Sequence, residues 1–77
     1  MKIKMKIFGQ LAEIIGSDQI TVKDMEDTDQ LVRYLKVLHP QLGEIKFSIA
    51  VDKKIIEENT ILTGNSVVAL LPPYSGG

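Results

Sequence analysis

Residues 2–8, KIKMKIF, alternate without a break, so that an extended chain places Ile3, Met5 and Ile7 on one side and Lys2, Lys4 and Lys6 on the other. A strand built this way has one apolar face, and that face must be covered by another layer. A chain of 77 residues has room for one domain and one covering layer. The rest of the sequence therefore has to supply partner strands and something apolar to lay across them.

Gly9 closes the first strand. QLAEIIG follows, with Leu11, Ile14 and Ile15 at helical spacing and Gly16 where a helix C-terminus wants a left-handed residue. DQITVK supplies Ile20 and Val22 to a second strand. The main helix is DTDQLVRYLKVLHP. Asp27 is placed to cap it, with Gln30 completing a capping-box pattern. Leu31, Leu35 and Leu38, with Tyr34 beside them, form the stripe expected to face the core, and Pro40 stops the helix. PQLGEIK reads as a loop. FSIAVD reads as a third strand with Phe47, Ile49 and Val51 inward. KKIIEE reads as a short edge strand, its charges suiting an exposed margin. NTILTGNS is rich in turn residues. SVVALL is the last strand, with Val68 and Leu70 on one face and Val67, Ala69 and Leu71 on the other. The order strand, short helix, strand, long helix, three strands implies an α+β domain with the long helix across one face of a mixed sheet.

Composition removes several classes of function. The formal net charge is −1, so no overall basic field exists to hold nucleic acid or an anionic membrane. There is no cysteine, which removes disulfides, thiolate metal ligands and a thiol nucleophile. No apolar run approaches the roughly 20 residues needed to span a bilayer. The opening alternates instead of forming a continuous apolar segment, so it is not read as a signal peptide, and a cytoplasmic location is expected.

Side chains suited to catalysis are scarce. His39 is the single histidine and falls at a helix end, where the dipole favours a cation and a solvated role suffices. Glu57 and Glu58, and Asp24, Glu26 and Asp27, read as surface acids, since acid–base work needs a second group placed opposite. Gly9 and Gly64 read as turn glycines, with no phosphate-binding glycine pattern around them. The lysines of the first strand read as an outward, solvated face. No metal or bound cofactor is expected.

The remaining candidate is the closing stretch, LLPPYSGG. Pro72 and Pro73 lack N–H groups, so a sheet ladder cannot continue past Leu71, and they favour an extended path away from the body. Residues 72–77 can reach about 20 Å at roughly 3.3–3.6 Å each. Gly76 and Gly77 have no side chains and can thread a channel too narrow for other residues. The expected organisation is a domain over residues 1–71 and an extended tail over residues 72–77. The expected reactive group is the α-carboxyl of Gly77. Its activation must come from a partner enzyme, because the chain has no ATP-binding motif.

The strand ending in Phe8, the helix QLAEIIG, the AVD segment at 50–52 and above all VALLPPYSGG at 68–77 together resemble the small-subunit family of molybdopterin synthase, a group of ubiquitin-like sulfur carriers. The resemblance covers essentially the whole chain. It implies a β-grasp (ubiquitin-like) fold, with a mixed sheet of about five strands whose first and last members lie side by side in the middle. It implies that an adenylating enzyme of the ubiquitin-activating type uses ATP on Gly77, that a sulfur donor protein converts it to a thiocarboxylate, and that the tail enters the large synthase subunit. There the sulfur passes to cyclic pyranopterin monophosphate, within a heterotetramer. Pro72, Pro73, Tyr74, Ser75 and Gly76 would form the inserted stem. Phe8, Val67, Ala69 and Leu71 would form an exposed apolar strip that docks partners. Asn65, Ser66 and Val67 stand where the family usually has acidic residues. A carrier for thiamine thiazole, a ubiquitin-like protein modifier and a binding module with an inert tail are the other readings of such a tail.

Overall fold

The computed structural model describes residues 1–73. Strand β1 (Lys2–Ile7) realises the alternation fully: Ile3 and Met5 are sealed from solvent, Ile7 nearly so, and the three lysines are exposed. Helix α1 (Gln10–Ile15) buries Leu11 and ends at Gly16, which is left-handed (φ 89°) and donates its N–H to the Ala12 carbonyl. Strand β2 (Gln19–Lys23) returns antiparallel to β1.

Helix α2 (Thr28–Leu38) starts at Asp27, whose carboxylate accepts the Gln30 N–H at 2.9 Å. The return half of the expected capping box is shifted by one residue, with the Gln30 side-chain oxygen accepting from Glu26 N–H at 2.7 Å. The core stripe also differs from expectation. Leu31 and Leu35 are fully buried, but Leu38 is 53% exposed and Tyr34 is 41% exposed. The reason lies in the following segment. Residues Pro40–Glu44, expected as a loop, form a 3₁₀ helix packed against α2. Pro40 both ends α2 and opens this turn, since its fixed φ suits a first helical position. Leu42, fully buried, thereby supplies the apolar group expected from Leu38.

Strands β3 (Ser48–Val51) and β4 (Lys54–Ile56) form a hairpin whose two turn residues, Asp52 and Lys53, both have positive φ (52° and 72°), the pattern that matches strand twist in a two-residue hairpin. Phe47 lies just outside β3 and is half-buried against the core. Strand β5 (Val67–Leu71) completes a sheet of order β2-β1-β5-β3-β4. The first and last strands are the parallel central pair, and β4 is an edge, both as expected. The turn-rich stretch before β5 ties the layers together. Asn59 accepts from Asp29 N–H at 2.9 Å, the Thr28 hydroxyl accepts from Thr60 N–H at 2.9 Å, and the buried Ser66 hydroxyl accepts from Thr63 N–H at 2.9 Å. Ser66 and Asn65 are thus turn-forming residues of the approach to β5.

Candidate functional site

The core side of the sheet is closed by α1, α2 and the 3₁₀ segment, so the accessible sheet surface is the opposite face. Val68 and Leu70 of β5 are fully buried on the core side, which turns Val67, Ala69 and Leu71 to the outer face. Val67 is 48% exposed and Phe8, just past β1, is 45% exposed; Ala69 and Leu71 are half-buried. The register extends the strip sideways, since Ala69 is opposite Ala50 of β3, and Ala50 is opposite Ile55 of β4. Ile55 is exposed. Ala50, on the outward side of β3 between Ala69 and Ile55, is nonetheless buried. On the other side of β5, Lys4 is opposite Val67 and Lys6 opposite Ala69. The sheet therefore presents an apolar strip along β5 with a row of lysines beside it.

Both ends of that strip are anchored. At its start, Asp52 accepts the Val67 N–H on its carboxylate at 3.0 Å and donates its own N–H to the Val67 carbonyl at 2.8 Å. This gives the AVD segment a definite task, which is to hold the β3–β4 turn onto the first residue of β5. At its end, Phe8 N–H bonds the Leu70 carbonyl at 3.0 Å, and the chain then leaves the sheet at Leu71. Pro72, which follows, carries no N–H to continue the ladder.

Gly9, read from sequence as a turn residue only, proves to be part of this exit. Its backbone (φ 59°, ψ −143°) is one that side-chain-bearing residues rarely adopt. A Cβ built there would lie 3.0 Å from Pro72 Cγ. The Pro72 ring thus rests on a position that favours glycine. The contact joins the two ends of the chain and has no local sequence signal. Tyr74, Ser75, Gly76 and Gly77, the other residues assigned to the tail, lie outside the described residues.

The other candidate side chains are not brought together. His39 is half-buried at the junction of α2 and the 3₁₀ segment, and among the described residues its side chain has no hydrogen-bond partner. Glu57 and Glu58 line, with Asp29, an open groove of about 230 Å³ floored by Val32, Phe47 and Ile56. Asp24 holds the Met1 ammonium at 3.3 Å, and Asp27 caps α2. Asp27 is held below its ordinary value of 3.8, first by the Gln30 N–H and then by the Asn59 side chain. That is the signature of a cap carboxylate and not of a general base near neutrality. Among the described residues no cluster of His, Cys, Asp or Glu is arranged to hold a metal, and no helix is long and apolar enough to cross a membrane.

The structure shows an outward apolar strip along β5 that ends where the chain leaves the sheet at Pro72. The family model described as the ThiS family matches residues 5–77. The chain belongs to the ThiS family. The molybdopterin synthase sulfur carrier subunit of Dictyostelium discoideum is 30% identical over 83 aligned residues, covering 99% of this chain and 96% of that protein. Among solved structures, the complex of subunits 1 and 2 of the molybdopterin-converting factor from Helicobacter pylori contains a chain 28% identical to this one, with a TM-score of 0.73 and 100% of both chains covered. The small archaeal modifier protein 1 of Methanosarcina acetivorans shares the fold at 22% identity, with a TM-score of 0.81, covering 99% of this chain and 96% of that one. The ThiS-family assignment and these overlays agree with the β-grasp arrangement of five mixed strands and two helices.

Proposed function

We propose that this ThiS-family chain is the sulfur carrier of molybdopterin synthesis, the small, sulfur-donating subunit of a synthase whose chemistry is completed by partners. The observation that carries the reading is the exit of β5. An apolar strip ends at Leu71, and Pro72, which cannot continue the ladder, is seated on Gly9. A domain that served only as a binding module has no need of such an exit.

The Gly77 carboxylate is a poor acyl donor until one oxygen becomes a leaving group. A separate adenylating enzyme supplies this by letting the carboxylate oxygen attack the α-phosphorus of ATP, with pyrophosphate leaving. Hydrosulfide released by a donor protein then attacks the acyl carbon, AMP leaves, the sulfur gives up its proton, and a thiocarboxylate remains. The tail, with Pro72, Pro73, Tyr74, Ser75 and Gly76 as its stem, carries that sulfur into the large subunit. There it passes to cyclic pyranopterin monophosphate, and two such transfers complete a dithiolene. The strip Phe8, Val67, Ala69 and Leu71 docks the adenylating enzyme and the large subunit in turn. Kinship with a sulfur carrier subunit and with a chain solved in complex with its second subunit supports this reading. The fold shared with a small archaeal modifier supports a second reading, in which the activated Gly77 is passed to a lysine amine instead.

Reconstitution separates the two. Thiocarboxylated chain, mixed with the large subunit and cyclic pyranopterin monophosphate, should form molybdopterin with two chains consumed per product. Removal of Gly76 and Gly77 should abolish it. Absence of product, with lysine conjugates forming in the presence of the adenylating enzyme, would establish the modifier reading instead.

A further inference from the structure

The lysine row of β1 is not accounted for by folding. Lysines on an edge strand discourage unwanted strand pairing, but β1 is an interior strand with β2 on one side and β5 on the other. Lys2 faces Lys23 directly across the β1–β2 pair. Lys4 lies between Thr21 and Val67, and Lys6 between Gln19 and Ala69. None of these neighbours offers a carboxylate. The one ion pair among the described residues is that of the Met1 ammonium with Asp24. Like charges opposite one another in a sheet are unfavourable, and so are like charges two residues apart on one face. The isolated domain would be served as well or better by threonine at these positions. The row is also not a product of overall basicity, since the chain as a whole carries −1. Asp29, Glu57 and Glu58 lie around the groove between α2 and β4, and two acids near the ends of the row are already engaged, Asp24 by the Met1 ammonium and Asp52 by the Val67 N–H.

We propose that Lys2, Lys4, Lys6 and Lys23 are the electrostatic border of the docking strip, and that the protein partner seated on Val67, Ala69 and Leu71 carries carboxylates along its β1-facing margin. The inference rests on the docking role given above to the strip and adds the charge its occupant must bear. Lys4 and Lys6 are the direct register neighbours of Val67 and Ala69, so a surface that covers the strip necessarily meets them. An apolar seam flanked by one sign of charge suits a protein surface with the opposite border. Charge at such a border acts chiefly on the rate of encounter, while buried contacts and the inserted tail govern how long the complex lasts.

The test is the kinetics of binding of the full chain to its cognate large synthase subunit at low and high salt. Four proteins are compared: the wild type, Lys4→Glu/Lys6→Glu, Lys4→Gln/Lys6→Gln, and Lys36→Glu on α2 across the core. At about 50 mM salt the Glu pair should associate about tenfold more slowly than the wild type, and at about 500 mM, where such fields are screened, the difference should shrink to about twofold. The Gln pair should fall between, dissociation rates should stay within about twofold, and Lys36→Glu should match the wild type. The Gln pair should melt no lower than the wild type, which separates a border role from a structural one. Wild-type association rates for both pairs at low salt, with tight binding retained, would overturn the border while leaving the docking strip standing. No binding of the wild type at all would overturn both. Binding of the wild type to phosphatidylserine vesicles, or to a second copy of itself, lost in the Glu pair while association with the large subunit is unchanged, would assign the row to that occupant and overturn the proposal.

Discussion

The two faces of the central strand pair differ in what decides their residues. On the core face, Ile3, Met5 and Ile7 of β1 and Val68 and Leu70 of β5 are buried and all apolar, as any sequence adopting this fold would need. On the outer face the same two strands diverge. β1 shows exposed lysines and β5 shows Val67, exposed, with Ala69 and Leu71, half-buried, at adjacent positions. Folding requires neither choice. The core face thus records the fold, and if the outer face docks partners as proposed, substitutions on the two faces should separate stability from association.

Leu70→Ala on the core face should give the largest loss of stability, about 2–5 kcal/mol, since it opens a cavity in a fully packed site. Its outer-face neighbour in sequence makes the opposite case. Leu71→Asp should cost far less in chemical denaturation yet abolish the large-subunit complex in a pull-down, and equal losses of stability at both positions would break the distinction. Thr28→Val tests the core side from the α2 end. It keeps the shape but strands Thr60 N–H, and should cost about 1–3 kcal/mol without affecting partner affinity. Gly9→Ala probes the junction, where both faces meet the tail. The backbone there disfavours a side chain by about 1–3 kcal/mol, and the Pro72 ring must also shift. The variant should retain the fold by circular dichroism while losing adenylation of Gly77, and Gly9→Ala combined with Pro72→Ala should regain part of that activity. The smallest effect is acid-dependent. Because Asp27 is held below 3.8 in the folded chain, its contribution is present above the unfolded value and is lost as pH falls through the lower folded one. Stability should therefore decline as pH drops below about 4, and Asp27→Asn should flatten that part of the profile in urea titrations at stepped pH.

The division also explains what the sequence made legible. The strands, the long helix and the apolar residues of β5 on both faces follow from period-two and period-3.6 spacing, which are local signals. The features that escaped are non-local or conditional. Pro40 marks a helix stop, but the same fixed φ also opens the 3₁₀ turn that buries Leu42 and leaves Leu38 and Tyr34 exposed. Asn59 and Thr60 read as turn residues, and their bonds to the start of α2 span about thirty positions of chain. Ala50 is buried at an outward position, which alternation alone does not register. Gly9 was visible as a glycine after a strand, but its partnership with Pro72 exists only once β1 and β5 are side by side.

On the function proposed above, this domain serves to present an activated Gly77 to a partner. The most direct test is the intact mass of the purified chain after incubation with ATP, a sulfur donor and the cognate adenylating enzyme. The expected result is a gain equal to the exchange of one oxygen for one sulfur, confined to the peptide that contains Gly77. An unchanged mass, with the same enzyme shown to be active on another carrier, would contradict it.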